Sequence, residues 1–207
     1  MADQSPDIEW HGDVPVATQF DDPYFSLHDG LAESRHVFLG GNDLPARFRE
    51  GFHIAELGFG TGLNAAAALA AWREAGVPGP LRFTSFERFP MGEADRKRAL
   101  AVYPHLPVLS ADDLDLEIVI GDVRETLPSW KGQADAWFLD GFSPAKNPAM
   151  WGVEVIANVA RCTATAGTAA TYSAAGHVRR ALSDAGFVVD RITGFGRKRH
   201  MTIARLP

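Results

Sequence analysis

The sequence predicts an α/β fold in which a mostly parallel, seven-stranded sheet has helices on both faces. From residue 53 onward, short apolar segments typical of buried strands alternate with longer helical patterns, which indicates a parallel sheet. The first strand pattern runs into a turn with three glycines in five residues (Gly58, Gly60 and Gly62), and a helix follows directly. In open α/β sheets, ligands bind at the carboxyl ends of the strands, where this turn lies.

The predicted elements follow one another in a regular order. Strands are expected at 53–57, 81–86, 116–120, 134–139, 167–172, 187–192 and 200–206, and helices at 63–74, 92–102, 148–163 and 177–185. Residues 1–50 lack this alternation and are predicted to be an irregular N-terminal extension packed on the main domain, residues 51–207. One helix is expected within the extension, at 30–39, capped by Asp29 and ended by Gly40 and Gly41.

Length and composition indicate a globular protein with one domain. The chain has 207 residues, 46% of them hydrophobic, which is ordinary for a single α/β domain. Its one cysteine, Cys162, excludes an internal disulfide and lies in an apolar helical pattern, so an inert core thiol is expected. The polar N-terminus does not resemble a signal peptide, and the longest apolar run, 65–72, is far shorter than the ~20 residues of a membrane span. A cytoplasmic location is expected, and the histidine spacing predicts no metal site.

Charge is distributed unevenly along the chain. The net charge of −6 argues against a general nucleic-acid-binding protein. Residues 176–207, however, contain seven basic and two acidic residues, and the basic run Arg197, Lys198 and Arg199 lies among them. This segment is either a docking site for a polyanion or a solvated basic face.

The glycine turn excludes two common nucleotide-binding motifs. A dinucleotide fingerprint needs glycine or alanine at position 63, where the chain has Leu63, and a phosphate-binding P-loop needs Gly-Lys-Ser or Gly-Lys-Thr. The remaining pattern, E-x-G-x-G-x-G beginning at Glu56, is the form seen in class I S-adenosylmethionine (SAM) methyltransferases, which have a Rossmann-like fold. There the glycines pass the methionine end of the cofactor, which has no pyrophosphate.

Carboxylates also follow the next two predicted strands. Glu87 follows the second strand, where an acid can accept hydrogen bonds from both ribose hydroxyls. Asp122 follows the third, where an acid can accept from an adenine amino group. Each acid alone is equally consistent with a solvated residue or a helix cap. In this order after a glycine turn, they predict a nucleoside-binding site.

The segment after the fourth strand predicts an amine substrate. Asp140, Phe142 and Pro144 place an acceptor and an aromatic ring in a rigid turn beside the expected methyl donor. An attacking amine needs acceptors that aim its N–H groups, and a carboxylate and an aromatic face both tolerate the positive charge that passes to nitrogen. Whether Asp140 accepts the released proton or only orients the neutral amine stays open.

Five motifs together resemble one family. ELGFGTGLN, FLDGFSPAKNPAMW, GFGRKRH, FDDPYFS and VFLGGN are similar to the methyltransferase domain of MnmC, which also occurs as the stand-alone protein MnmD. The resemblance implies methyl transfer from SAM to the 5-aminomethyl group of a modified wobble uridine in tRNA. In MnmC an FAD-dependent oxidase domain follows and supplies the aminomethyl substrate. This sequence has no second glycine fingerprint, so oxidase activity is expected to be absent from it and to belong to a separate or a fused oxidase.

The resemblance also assigns roles to residues of this chain. It implies that Asp140 orients the amine while Phe142 and Pro144 form the wall of the substrate pocket. A second group is expected to bind the cofactor: Glu56, Gly58, Gly60, Gly62, Asn64, Glu87, Asp122 and Asp140. A third is expected to contact tRNA: Lys146, Arg197, Lys198 and Arg199.

Three other functions compete with this reading. A SAM-dependent methyltransferase acting on a small-molecule amine would share the cofactor motifs, although the basic C-terminal segment argues against it. A nicotinamide-dependent dehydrogenase is disfavoured by Leu63. A non-catalytic nucleoside-binding module is disfavoured by the complete motif that begins at Asp140.

Overall fold

The N-terminal region forms a small sheet of its own. The structure, a computed structural model, describes residues 5–207, so residues 1–4 of the predicted extension lie outside the described residues. Strands β1 (Ile8–His11), β2 (Val14–Ala17) and β3 (Asp22–Pro23) pair antiparallel in the order β1-β2-β3. The prediction of an irregular segment is therefore wrong here, because strands this short have too little alternation to stand out in the sequence.

The helix predicted at 30–39 is present but ends differently. Helix α1 (Gly30–Ser34) is capped by the Asp29 carboxylate, which accepts from the Ala32 backbone N–H, as expected. A π-helical turn over Arg35–Leu39 and a 3₁₀ turn over Gly40–Asn42 continue it. The left-handed residue that ends the run is Asp43 at φ 55° rather than Gly40 or Gly41. A Cβ on Gly41 would lie 2.7 Å from the Ala170 Cβ, so Gly41 is required for close packing on the main sheet.

Within residues 5–207, seven strands form the main sheet in the order β6-β5-β4-β7-β8-β10-β9. Their bounds are β4 His53–Leu57, β5 Leu81–Glu87, β6 Leu114–Ile120, β7 Ala134–Leu139, β8 Thr163–Thr171, β9 Val188–Thr193 and β10 His200–Arg205. Strands β4 to β8 are parallel, whereas β10 runs antiparallel to both β8 and β9. The predicted fold class is confirmed.

The helices differ from the predictions mainly in their bounds. They are α2 Leu63–Ala75, α3 Glu93–Leu100, α4 Val123–Thr126, α5 Val153–Arg161 and α6 Gly176–Asp184. The helix predicted at 148–163 is instead a 3₁₀ turn over Pro148–Trp151 followed by α5, and β8 begins at Thr163, four residues before the predicted strand. Helix α4 was not predicted, because a single helical turn has no usable periodicity.

The core has one layer on each face of the sheet. Successive residues of a strand point to opposite faces, so Trp137 belongs to the layer under α5 and α6 while Phe138 belongs to the layer under α2. Both side chains are fully buried, as is Cys162 beside α5, in agreement with the prediction of a core thiol. This packing fixes the carboxyl ends of β4, β5 and β7, where the predicted site residues lie. None of the described helices is long and apolar enough to cross a membrane.

Candidate active site

The glycine turn after β4 lies against the loop after β7. Gly58 and Gly60 have φ angles of +85° and +52°, which glycine adopts readily. A Cβ on Gly58 would lie 3.1 Å from the Gly141 Cα, and one on Gly60 would lie 3.0 Å from the Tyr24 ring. The turn therefore needs glycine both for its conformation and for two close contacts. Gly62 also has a positive φ, and a Cβ on it would lie 2.7 Å from Leu109 Cδ1.

A cavity of about 550 Å³ opens above this turn, which is within the usual range for ligand sites. Its wall includes nine of the predicted residues: Gly58, Gly60, Asn64, Glu87, Asp122, Asp140, Phe142, Arg197 and Lys198. Five other predicted residues are not part of the wall: Glu56, Gly62, Pro144, Lys146 and Arg199. The glycines leave the room that a bulky nucleoside cofactor requires, so the site fits SAM.

Asn64, at the start of α2, connects two acids at the centre of the site. Its side-chain Nδ2 donates to Glu56 Oε1 at 2.9 Å and to Asp140 Oδ2 at 2.7 Å. Its Oδ1 accepts from the Ser34 hydroxyl at 2.6 Å. Because the serine proton faces Oδ1, both amide protons are available to the two carboxyl groups. Asn64 is thus a bridge as well as part of the cavity wall.

Glu56 is removed from water, whereas Asp140 is half-buried and lines the cavity. Glu56 is fully buried, and Ser85 donates to its Oε2 at 2.7 Å. Burial raises the pKa of Glu56 well above its usual range. Glu56 therefore lies behind Asn64 instead of bordering the cofactor as predicted. Burial also raises the pKa of Asp140 to about 7, although the bond from Asn64 opposes this.

Glu87 is held by the backbone. Its Oε2 accepts from the Gly60 N–H at 2.9 Å and its Oε1 from the Phe89 N–H at 2.7 Å. Burial raises its pKa, and these backbone hydrogen bonds oppose the rise. A carboxylate oxygen has two lone pairs, so each oxygen can accept a second bond from a hydroxyl group. This geometry fits the predicted ribose contact.

Asp122 has a different environment from the one predicted. Its Oδ1 accepts from the backbone N–H and the Nε of Arg124, and its Oδ2 accepts from Arg124 Nη2 and Arg88 Nη1, both at 2.6 Å. These bonds lower the pKa of Asp122 to about 2, with Arg124 the largest cause. Four donors saturate the carboxylate. A contact to an adenine amino group would require one arginine donor to move.

Aromatic rings from the N-terminal region cover the loop after β7. The Phe20 ring stacks on Phe142 with centroids 4.4 Å apart, and Tyr24 meets Phe142 edge-on at 5.2 Å. Phe142, Phe20 and Tyr24 all line the cavity. Pro144 is buried beneath the loop, so it supports the wall instead of forming it as predicted.

The predicted tRNA-contacting residues divide into two groups. Lys146 contacts the N-terminal region: its Nζ donates to the Asp21 carbonyl and lies 3.2 Å from Asp21 Oδ2 and 3.7 Å from Asp22 Oδ1. Arg197 and Lys198, in the turn between β9 and β10, line the cavity, whereas Arg199 lies outside it. Lys198 Nζ pairs with Glu33 at 2.8 Å.

Several wall residues were missed by sequence reasoning. Ser34, Glu33 and Tyr172 belong to elements whose sequence contains no binding motif, and only the fold brings them to Asn64 and the loop after β7. Tyr172, for example, donates to the Gly141 carbonyl at 2.8 Å. Phe20 and Tyr24 do lie in a quoted motif, FDDPYFS, whose aromatic and acidic content was a usable signal. Among the described residues, no cluster of three or more His, Cys, Asp or Glu side chains is arranged to hold a metal.

Comparisons with known proteins place this site in a family. A family model described as S-adenosyl-L-methionine-dependent methyltransferase matches residues 97–207, more than half of the chain. The tRNA 5-methylaminomethyl-2-thiouridine biosynthesis bifunctional protein MnmC of Caulobacter sp. (strain K31) is 45% identical, and its namesake from Pseudomonas paraeruginosa (strain DSM 24068 / PA7) is 41% identical. Each alignment covers 96% of this chain, which spans 38% and 34% of those proteins.

One solved structure is also similar over nearly the whole chain. MNMC2 from Aquifex aeolicus superposes with a TM-score of 0.78 at 28% identity, covering 98% of this chain and 70% of that one. The resemblance noted from the motifs and the SAM cofactor it implies are thereby confirmed. The chain belongs to the S-adenosyl-L-methionine-dependent methyltransferases.

Proposed function

We propose that this enzyme methylates the 5-aminomethyl group of a wobble uridine or 2-thiouridine in tRNA, giving the 5-methylaminomethyl form. The observation that supports this most is the position of Asp140, which lies on the cavity wall between the glycine turn and a cluster of aromatic rings. The role that the MnmC relatives are named for, tRNA 5-methylaminomethyl-2-thiouridine biosynthesis, agrees with this substrate. Because the chain spans little more than a third of their length, the substrate is a proposal for this chain.

Different residues of the chain bind the cofactor and position the substrate amine. SAM supplies an electrophilic methyl group on a positively charged sulfur. Gly58 and Gly60 would leave room for the cofactor, and Glu87 would accept from its ribose hydroxyls. Asp140, on the loop that meets Gly58, would accept an N–H of the amine and align the nitrogen lone pair.

The environment of Asp140 suits a substrate amine that must lose its proton before it attacks. A primary amine is mostly protonated in water, and an apolar wall such as Phe142 disfavours the ammonium form. With its pKa raised to about 7, Asp140 is poised to take a proton from the substrate near neutral pH. Phe142 and Tyr24 present aromatic rings to the positive charge that develops on nitrogen. The aminomethyl substrate itself requires a preceding oxidase reaction, which we assign to a separate protein or to a fused domain.

The decisive experiment is mass spectrometry of wobble nucleosides. Purified protein is incubated with SAM and tRNA bearing 5-aminomethyluridine, and a mass gain of one methyl group is expected at that nucleoside. The free nucleoside and simple primary amines serve as competing substrates. Transfer to free amines but not to tRNA would favour the small-molecule alternative and overturn the proposal.

A substitution at Asp140 tests the mechanism. Asp140→Ala should lower the turnover number at least 100-fold, because positioning and proton acceptance by a side chain contribute about 10²–10⁴-fold. SAM binding measured by calorimetry should change less than about threefold, since Glu87 and the glycine turn are intact. Unchanged turnover would exclude Asp140 from the reaction.

A further inference from the structure

Basic side chains on the cavity wall are more exposed to solvent than the acidic side chains with which they pair. Four cations line the mouth of the cavity: Arg88, Arg124, Arg197 and Lys198. The side chains of Arg88, Arg124 and Lys198 are 53%, 50% and 46% exposed, whereas their partners Asp122 and Glu33 are only 13% and 12% exposed. Within these ion pairs, the acids therefore point inward and the cations outward. The exposed Asp7 also lines the cavity, so positive charge faces solvent at the positions of these cations and not around the whole rim, on a chain whose net charge is −6.

Strand order separates these cations into two groups. Arg88 follows β5 and Arg124 lies in α4 after β6, on one side of the central strands β4 and β7. Arg197 and Lys198 lie in the turn between β9 and β10, on the other side. From β5 to β10 there are four strand spacings of about 4.8 Å, so the strands that carry the two groups are about 20 Å apart, and β7, which leads to Asp140, lies between them.

We propose that Arg88 and Arg124 form a second phosphate-binding lip opposite Arg197 and Lys198, and that an RNA backbone crosses the cavity mouth from one lip to the other. This inference rests on the proposed function, which it deepens by locating the RNA. Arg88 and Arg124 were not among the residues predicted to contact tRNA.

The chemistry of the Arg88 lip fits phosphate. A guanidinium has five N–H donors in a planar fork, and among the described residues the bonds to Asp122 use one side-chain donor of Arg88 and two of Arg124. The half-buried Asp122 holds both forks in place, and the remaining donors belong to guanidinium groups whose side chains are half exposed. Arg88 also packs over the Phe89 ring at 5.2 Å, which restricts its motion.

A nucleic acid explains the lips better than an acidic protein does. Phosphates repeat along a backbone and can engage both lips, while the cavity between them takes a single extruded base. A chain that is acidic overall would repel a polyanion elsewhere, so these two lips would also fix its register.

Salt-dependent binding to an anticodon stem-loop RNA tests this inference. Fluorescence anisotropy without SAM compares the wild type with Arg88→Gln/Arg124→Gln and with Arg197→Gln/Lys198→Gln. Each double variant should bind about 10–100-fold more weakly at low salt. The slope of log K against log salt concentration should fall by about 1.4 in each, because one single-strand phosphate contact contributes about 0.7.

Lys97→Gln/Lys131→Gln is the matched control, since both lysines are exposed and outside the cavity wall. It should retain the wild-type slope. A wild-type slope in Arg88→Gln/Arg124→Gln, with a reduced slope in Arg197→Gln/Lys198→Gln, would overturn the second lip and leave the proposed function intact. Absence of salt-dependent RNA binding by the wild type would overturn both.

Discussion

At the scale of single residues, Asn64 fixes the orientation of the Asp140 carboxyl group. Its amide gives one proton to Asp140 Oδ2 and one to the buried Glu56, and Ser34 fixes the orientation of the amide. Held at Oδ2, Asp140 can turn its other oxygen to a substrate. Four groups surround Asp140: Glu56 on β4, Glu33 on α1, Lys198 in the β9–β10 turn and Tyr172 after β8. Asn64 is thus expected to act chiefly as a positioning residue.

Asn64→Ala should therefore lower the turnover number about 100-fold and raise the pKa of Asp140 above its value of about 7, because a hydrogen bond that favours the carboxylate is lost. If the ionised Asp140 accepts the proton as proposed, the rate should rise with pH as Asp140 ionises, and the midpoint of this rise should move to higher pH in Asn64→Ala. Carboxyl ¹³C NMR, assigned with Asp140→Asn, measures the pKa directly. Asn158→Ala, at a half-buried site on α5 outside the cavity wall, should leave the Asp140 titration as in the wild type. If the Asp140 titration is identical in Asn64→Ala, Asn64 does not position this group.

The sequence predicted some of these residues and missed others for a physical reason. Asp140 and the glycines at 58 and 60 were predictable because a strand end and the residues after it are local in sequence. The bond from Ser34 to Asn64 spans 30 residues and the contact of Lys146 with Asp21 spans 125. Such contacts depend on how complete elements pack, so the contact of Lys146 with the N-terminal region could not be predicted, whereas the conformation of the glycine turn could.

At the scale of elements, the N-terminal sheet is part of the active site. The segment around β3 meets the loop after β7 through the ring stack of Phe20 on Phe142 and the bond from the Ser143 N–H to Asp22 Oδ2 at 2.8 Å. Lys146 adds its bonds to Asp21. Alternating strands and helices were predictable from residue 53 onward. The small N-terminal sheet was not, since its strands have two to four residues.

Lys146→Met should weaken the contact between the N-terminal segment and the loop after β7 without creating a cavity in the core. We expect faster proteolytic cleavage near residues 20–24 and about tenfold lower turnover with tRNA, because the aromatic wall over Asp140 is less well held. Lys97→Met removes a comparable exposed ion pair with Glu93 on α3 and should change neither quantity. If Lys146→Met is cleaved and turns over like the wild type, the rings alone hold the segment.

At the scale of the whole molecule, three carboxyl groups with a raised pKa make stability depend on pH: Glu56 and Glu87 are buried, and Asp140 is half-buried. Burial raises the pKa of Glu56, Glu87 and Asp140. Between the pKa of an unfolded aspartate, about 3.8, and the value of about 7 for native Asp140, the native state binds a proton that the unfolded state lacks. The free energy of unfolding therefore falls as pH rises through this interval.

Asp140→Asn should remove one part of this dependence. Relative to the wild type, its free energy of unfolding should increase by about 3 kcal/mol between pH 5 and pH 8, because each pH unit below the native pKa is equivalent to about 1.4 kcal/mol. Urea unfolding at the two pH values measures it. The exposed Asp112→Asn should show the wild-type dependence, and an unchanged difference between Asp140→Asn and the wild type would show that Asp140 ionises normally in the native state.

The contact between Gly58 and Gly141 has a consequence for how the reacting groups are spaced. These glycines follow β4 and β7, which are hydrogen-bonded neighbours in the sheet, and they meet backbone to backbone. The distance between the glycine turn after β4 and the Asp140 loop after β7 is therefore set by the spacing of adjacent strands, about 4.8 Å, and not by side-chain size. A point substitution can fill the space between the turn and the loop, but it cannot change the distance between the two strands. Relatives that methylate other substrates are therefore expected to differ in the residues of the cavity wall and to keep the pairing of β4 with β7.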